Sequence, residues 1–107
     1  MGRYIFIDSN SGYIWGDSAE FASEGTDDLA ELARLLDESI GETERTYVVH
    51  NVDPRTTATG YHVYRADVRG SEQVGNIHDG QDQEMIDAVE RDCEYEGFVE
   101  TISATED

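Results

Sequence analysis

The sequence predicts an α+β domain: a mainly antiparallel sheet of four to six strands with two amphipathic helices on one face. Three observations predict it. Apolar residues recur at helical spacing in two separate segments, Leu29–Ile40 and Met85–Cys93. Short runs rich in Val, Ile, Tyr and Phe, bounded by Gly, Asn, Asp and Ser, read as strands. The element order is β-β-α-β-β-(β)-α-β, which suits helices laid on an antiparallel sheet. With 107 residues the chain is expected to form a single domain, 1–107.

Arg3–Asp8 is the first strand, and Ser9-Asn10-Ser11-Gly12 is a dense turn signal. Tyr13–Gly16 reads as the return strand of a hairpin. Asp17–Gly25 is an acidic linker that Phe21 would anchor to the core. Thr26 or Asp27 can cap the first helix, whose acids in the first turn suit the helix dipole. Leu29, Leu32, Ala33, Leu36 and Ile40 form its inner stripe, Gly41 its stop, and Asp37 lies at the flank.

Thr46–Val52 is a strand ended by Asp53-Pro54. Tyr61–Val68 is the next, expected to pair antiparallel with it. Val74–His78 reads as a short strand between two turns. The second helix covers Gln81–Tyr95, with Met85, Ile86, Val89 and Cys93 inward and Gly97 as its end. Phe98–Ile102 is the last strand, and residues 103–107 a frayed acidic tail.

Charge is the strongest signal of function. The chain has 25 Asp and Glu, seven Arg and no Lys, for a net charge of -18. Asp17–Glu44 sums to -9 and Asp79–Asp107 to -10, whereas Met1–Gly16 is neutral and Arg45–His78 is +1. Such self-repulsion costs stability, speaks to partners rather than fold, and opposes binding to nucleic acid or anionic lipid. The expected partner is a basic protein.

The acids fall on the two helices. Asp27, Asp28, Glu31 and Glu38 line the outer side of the first. Asp82, Glu84, Asp87, Glu90, Asp92, Glu94 and Glu96 follow the second. On a continuous helix these seven would span about 21 Å, one carboxylate per ~3 Å. A nucleic-acid strand carries one phosphate per about 3.4 Å. Side by side, the two helices would make one broad negative surface, with Asp87, Glu90 and Glu94 clustered on it.

In size, charge and compactness the chain resembles the small acidic anti-restriction and anti-CRISPR proteins of phages and plasmids, and nuclease immunity proteins. The resemblance is one of general character and assigns no residue a role. It implies a nucleic-acid mimic that occupies the basic groove of a nuclease, repressor or CRISPR effector. Two alternatives stand beside it: an immunity or accessory protein that binds a basic effector away from that groove, and a salt-adapted domain whose charge serves solubility.

The other candidate sites carry less. His50, His62 and His78 lack metal-site spacing, so no metal is expected, and no cofactor fingerprint is present. Asp79-Gly80-Gln81-Asp82 lacks the spacing of a calcium loop. Cys93 sits among carboxylates that would raise its pKa, and reads as a small core residue rather than a nucleophile. No catalytic motif is present, and a non-enzymatic protein is expected. Tyr4, Phe6, Tyr13 and Trp15 share strand faces, alternating with Ile5, Ile7 and Ile14. If the helices cover one face only, these aromatics form an exposed patch that serves as a dimer interface or partner anchor. The alternative is a hairpin buried on both sides. One cysteine, no signal-peptide run and no apolar span point to a cytoplasmic protein.

Overall fold

The computed structural model describes residues 3–22, 26–41, 45–50, 59–66 and 77–103. It bears out the α+β class. Tyr4–Asp8 (β1) pairs with Ile14–Trp15 (β2) on one side, where Phe6 opposes Trp15. On its other side it pairs with Gly60–Arg65 (β4), where Phe6 opposes Val63. Glu94–Ser103 (β5) then lies between β4 and Arg45–His50 (β3). Among the described residues the sheet order is β2-β1-β4-β5-β3, and every pairing is antiparallel.

The expected β3–β4 pair is therefore replaced: β5 inserts between them. The reason lies in consecutive residues of β5. Phe98 is 1% exposed and Val99 is fully buried, yet neighbours on a strand point to opposite faces. A strand that buries both faces belongs in the interior of a sheet. β3, with Val48 and Val49 exposed, suits the edge.

The two amphipathic helices do not share a face, which corrects the sequence-based expectation. Leu29–Ile40 (α2) buries Leu32, Ala33 and Leu36 against Tyr4, Phe6, Tyr47, Tyr61, Val63 and Val99. Gln83–Asp92 (α3) sets Val89, with Met85 and Ile86, against Ile5, Ile7, Ile14 and Tyr64. Along β1, Tyr4 and Phe6 look toward α2 while Ile5 and Ile7 look toward α3. A sheet apolar on both faces must be covered on both.

Local chemistry sets the helix ends. Asp28 caps α2, its Oδ1 accepting from Ala30 N at 3.0 Å and Glu31 N at 3.4 Å. The cap lies one residue beyond the expected Asp27. Gly41 closes α2 in the left-handed region, φ 92°, as its position predicts. Asp82 caps α3. That helix ends at Asp92, with β5 beginning at Glu94, so Gly97 is not its stop. Gly97 sits within β5, φ 149°, beside a register shift at Val63/Tyr64. A Cβ there would lie 3.1 Å from His50 O.

The acidic segment after β2 contains a short helix, Asp17–Ala22 (α1). Its first turn is held from far away: Ser18 Oγ and N donate to the Asp79 carboxylate at 2.6 and 3.2 Å. Ala19 is buried, while Phe21 is 73% exposed and does not anchor the segment. Of the expected Val74–His78 strand, residues 74–76 lie outside the described residues. Gly80 makes an isolated bridge to Ile14. The ends of the two expected middle strands, 51–52 and 67–68, and residues 104–107 of the tail also lie outside.

Candidate acidic interaction surfaces

The α2 and α3 carboxylates differ in what they already hold. On α2, Arg34 donates through Nε and Nη2 to both oxygens of Glu31, at 3.1 and 2.6 Å. Its Nη1 reaches Glu38 at 2.5 Å. The Arg34 hydrogen bond holds the Glu31 carboxyl below the usual range, and the two glutamates raise the Arg34 pKa in return. Asp28 is engaged in capping. Asp27 Oδ1 accepts from the Tyr4 hydroxyl at 3.4 Å. Each of the four α2-side candidates therefore has a contact within the chain.

On α3, Asp82 caps the helix and Asp87 accepts from Gln83 Nε2 at 2.9 Å. Glu84, Asp87 and Glu90 are exposed. Arg91, the one basic residue of α3, pairs with its neighbour Asp92 at 3.0 Å. Among the described residues no ion pair joins Asp82, Glu84, Asp87 or Glu90 to a cation. This is the less neutralised row.

The geometry also shortens it. Glu94 and Glu96 belong to β5, so the expected seven-carboxylate helix of about 21 Å does not form. From Asp82 to Glu90 the ridge runs about 12 Å along the axis. Glu94 remains exposed just past its end. The combined surface of both helices is overturned as well, because the sheet separates them.

The expected aromatic patch is absent in that form. Tyr4 is 3% exposed and Phe6 fully buried, with Phe6 edge-on to Tyr61 at 5.6 Å. Tyr13 and Trp15 are half-buried and contact each other at 4.4 Å. β1 is buried on both sides, because α2 and α3 cover both. Sequence reasoning missed a different feature, a groove of about 380 Å³ lined by Phe21, Ala22, Leu35, Glu38 and Ser39.

His50 and His62 flank Phe98 on either side of β5 rather than pairing with one another. His50 Nε2 lies 3.4 Å from Glu100, and His62 Nδ1 lies 3.4 Å from the Tyr95 hydroxyl. Among the described residues no group of three His, Cys, Asp or Glu could hold a metal ion. Cys93 packs with the Val89 cluster. Burial raises its thiol pKa, with Arg3 opposing and Asp92 adding. No described helix is long and apolar enough to cross a membrane. No protein-family model, curated protein or solved structure matches the chain.

Proposed function

We propose that the chain is a non-enzymatic acidic binding protein whose α3 ridge occupies a basic, nucleic-acid-binding surface of a partner protein. The observation that carries this reading is the contrast between the helices. Glu31 and Glu38 are tied to Arg34, whereas Glu84, Asp87 and Glu90 face solvent and, among the described residues, enter no ion pair. Carboxylates held in no ion pair attract a basic surface at long range and need break no salt bridge on docking. The net charge of -18 steers the encounter.

The test is capture of partners on the immobilised protein from a nucleic-acid-depleted lysate. Captured protein should be released by added DNA or RNA and by moderate salt. It should be lost on reversal of Glu84, Asp87 and Glu90 to Lys, and retained on reversal of Glu31 and Glu38. A partner that stays bound while nucleic acid also binds makes this an accessory or immunity protein instead. A second reading, charge serving solubility, is favoured by the placement of acidic helices on both faces of the sheet. Under that reading the Glu84/Asp87/Glu90 reversal lowers solubility and changes no capture.

A further inference from the structure

The two edges of the sheet are built differently. The β2 edge is two residues long, and it is shielded by Gly80, which exchanges backbone hydrogen bonds with Ile14 at 2.7 and 3.0 Å. The β3 edge is six residues long, and its register with β5 runs through six pairs without a shift. Within Arg45–His50 there is no proline, no lysine and no bulge, and the one charged residue, Arg45, stands at its start. Val48 and Val49 are 38% and 43% exposed on opposite faces, and Ile102, on the Val48 face, is 41% exposed.

Charge selects the occupant. Arg45–His50 contains no carboxylate, in a chain with 25 of them. Its charged side chain is Arg45, and His50 lies 3.4 Å from Glu100 of β5. A basic partner of the kind proposed for α3 meets no carboxylate on this strand. A second copy of the chain can meet it without placing carboxylates opposite one another. The strand is also self-complementary. Antiparallel pairing centred on Val48 sets Val48 against its own copy and Tyr47 against Val49, all β-branched or aromatic cross-strand pairs.

We propose that β3 is a homodimerisation edge, joining two sheets into one of ten strands with both α2 helices on the same side. The two-fold axis then stands perpendicular to the sheet, as isologous antiparallel pairing requires. The rest of each protomer is strongly acidic, so the pairing works against net repulsion. Dimerisation therefore strengthens with salt, opposite in sign to binding of a basic partner by α3.

Sedimentation equilibrium of the purified full chain tests this. At ~1 M salt, where the screening length is about 3 Å, the expected mass is about twice 12.0 kDa. At ~0.01 M, where it is about 30 Å, the dimer should dissociate at least about tenfold more readily. Val48→Lys and, separately, Val49→Lys should each weaken the dimer about tenfold or more, with unchanged far-UV circular dichroism. A protein monomeric at high salt, a dimer that weakens with salt, or a dimer indifferent to both substitutions would overturn the proposal.

Discussion

The Tyr61 hydroxyl donates a 2.6 Å hydrogen bond to Asp37 Oδ1, joining β4 to the inner side of α2. Asp37 is 1% exposed and Tyr61 3%, so the bond lies inside the apolar cluster beneath the helix. Tyr61 also stacks on Tyr47 at 6.1 Å and meets Phe6 edge-on. A carboxylate so placed ties the register of α2 to the sheet, since any slip of the helix strands it.

Tyr61→Phe removes the donor and leaves the carboxylate buried. It should destabilise the protein by about 1–3 kcal/mol, because a buried hydrogen bond to a carboxyl group is lost. Asp37→Leu in the Tyr61→Phe background should recover part of that loss. Urea unfolding of the two single variants and the double measures the coupling. An unchanged midpoint for Tyr61→Phe contradicts this role.

The Arg34 clamp on α2 gives a pH signature. Glu31 titrates below its ordinary range in the folded protein because Arg34 hydrogen-bonds it. Its contribution is thus fully present above the unfolded carboxylate pKa, about 4.3, and is lost as pH falls through the folded value. NMR titration should show the Glu31 carboxyl returning to its ordinary range in Arg34→Ala. The accompanying stability change should be small and fade with salt, as for any exposed pair.

Alkaline unfolding should involve the buried phenols. Burial raises the pKa of Tyr64 strongly, with Glu90 adding to it; burial and then Asp27 raise that of Tyr4. A raised folded pKa leaves stability intact below the unfolded value, about 10, and removes it as pH rises beyond. Absorbance at the tyrosinate band should therefore show a late class of phenols that ionise together with loss of circular dichroism. A single smooth titration of all six tyrosines in the folded protein would contradict the burial.

Asp79→Ala should unravel α1 without disturbing α2. The Asp79 carboxylate accepts from Ser18 N and Oγ, and loss of such a cap costs about 1 kcal/mol. Amide exchange within Asp17–Ala22 should accelerate while exchange in Leu29–Ile40 stays slow. Uniform acceleration would show that the two helices open as one unit.

Much of this architecture was legible from periodicity. The Leu29–Ile40 stripe, its Gly41 stop and the first hairpin follow from spacing alone. Other features followed less directly or not at all. The α3–β5 boundary was obscured because Glu94-Tyr95-Glu96 fits a helix by composition, although its polar-apolar alternation is also that of a strand. Gly97 resembled a helix stop and proved to be a strand glycine, a choice made by the close approach of His50. The opposite-face helices were signalled by β1 itself, where Tyr4 and Phe6 alternate with Ile5 and Ile7. The Asp37–Tyr61 and Asp79–Ser18 bonds span 24 and 61 residues and leave no local trace.

The same correction bears on function. Two acidic rows that were expected to merge stand on opposite sides of a sheet, and one is already occupied by Arg34. That leaves the α3 ridge as the surface to test. The most direct measurement is partner capture by Glu84→Lys/Asp87→Lys/Glu90→Lys against Glu31→Lys/Glu38→Lys, with both proteins verified as folded. A nucleic-acid-displaceable basic partner should be lost from the α3 variant only. Equal capture by both variants, or equal loss, would contradict this.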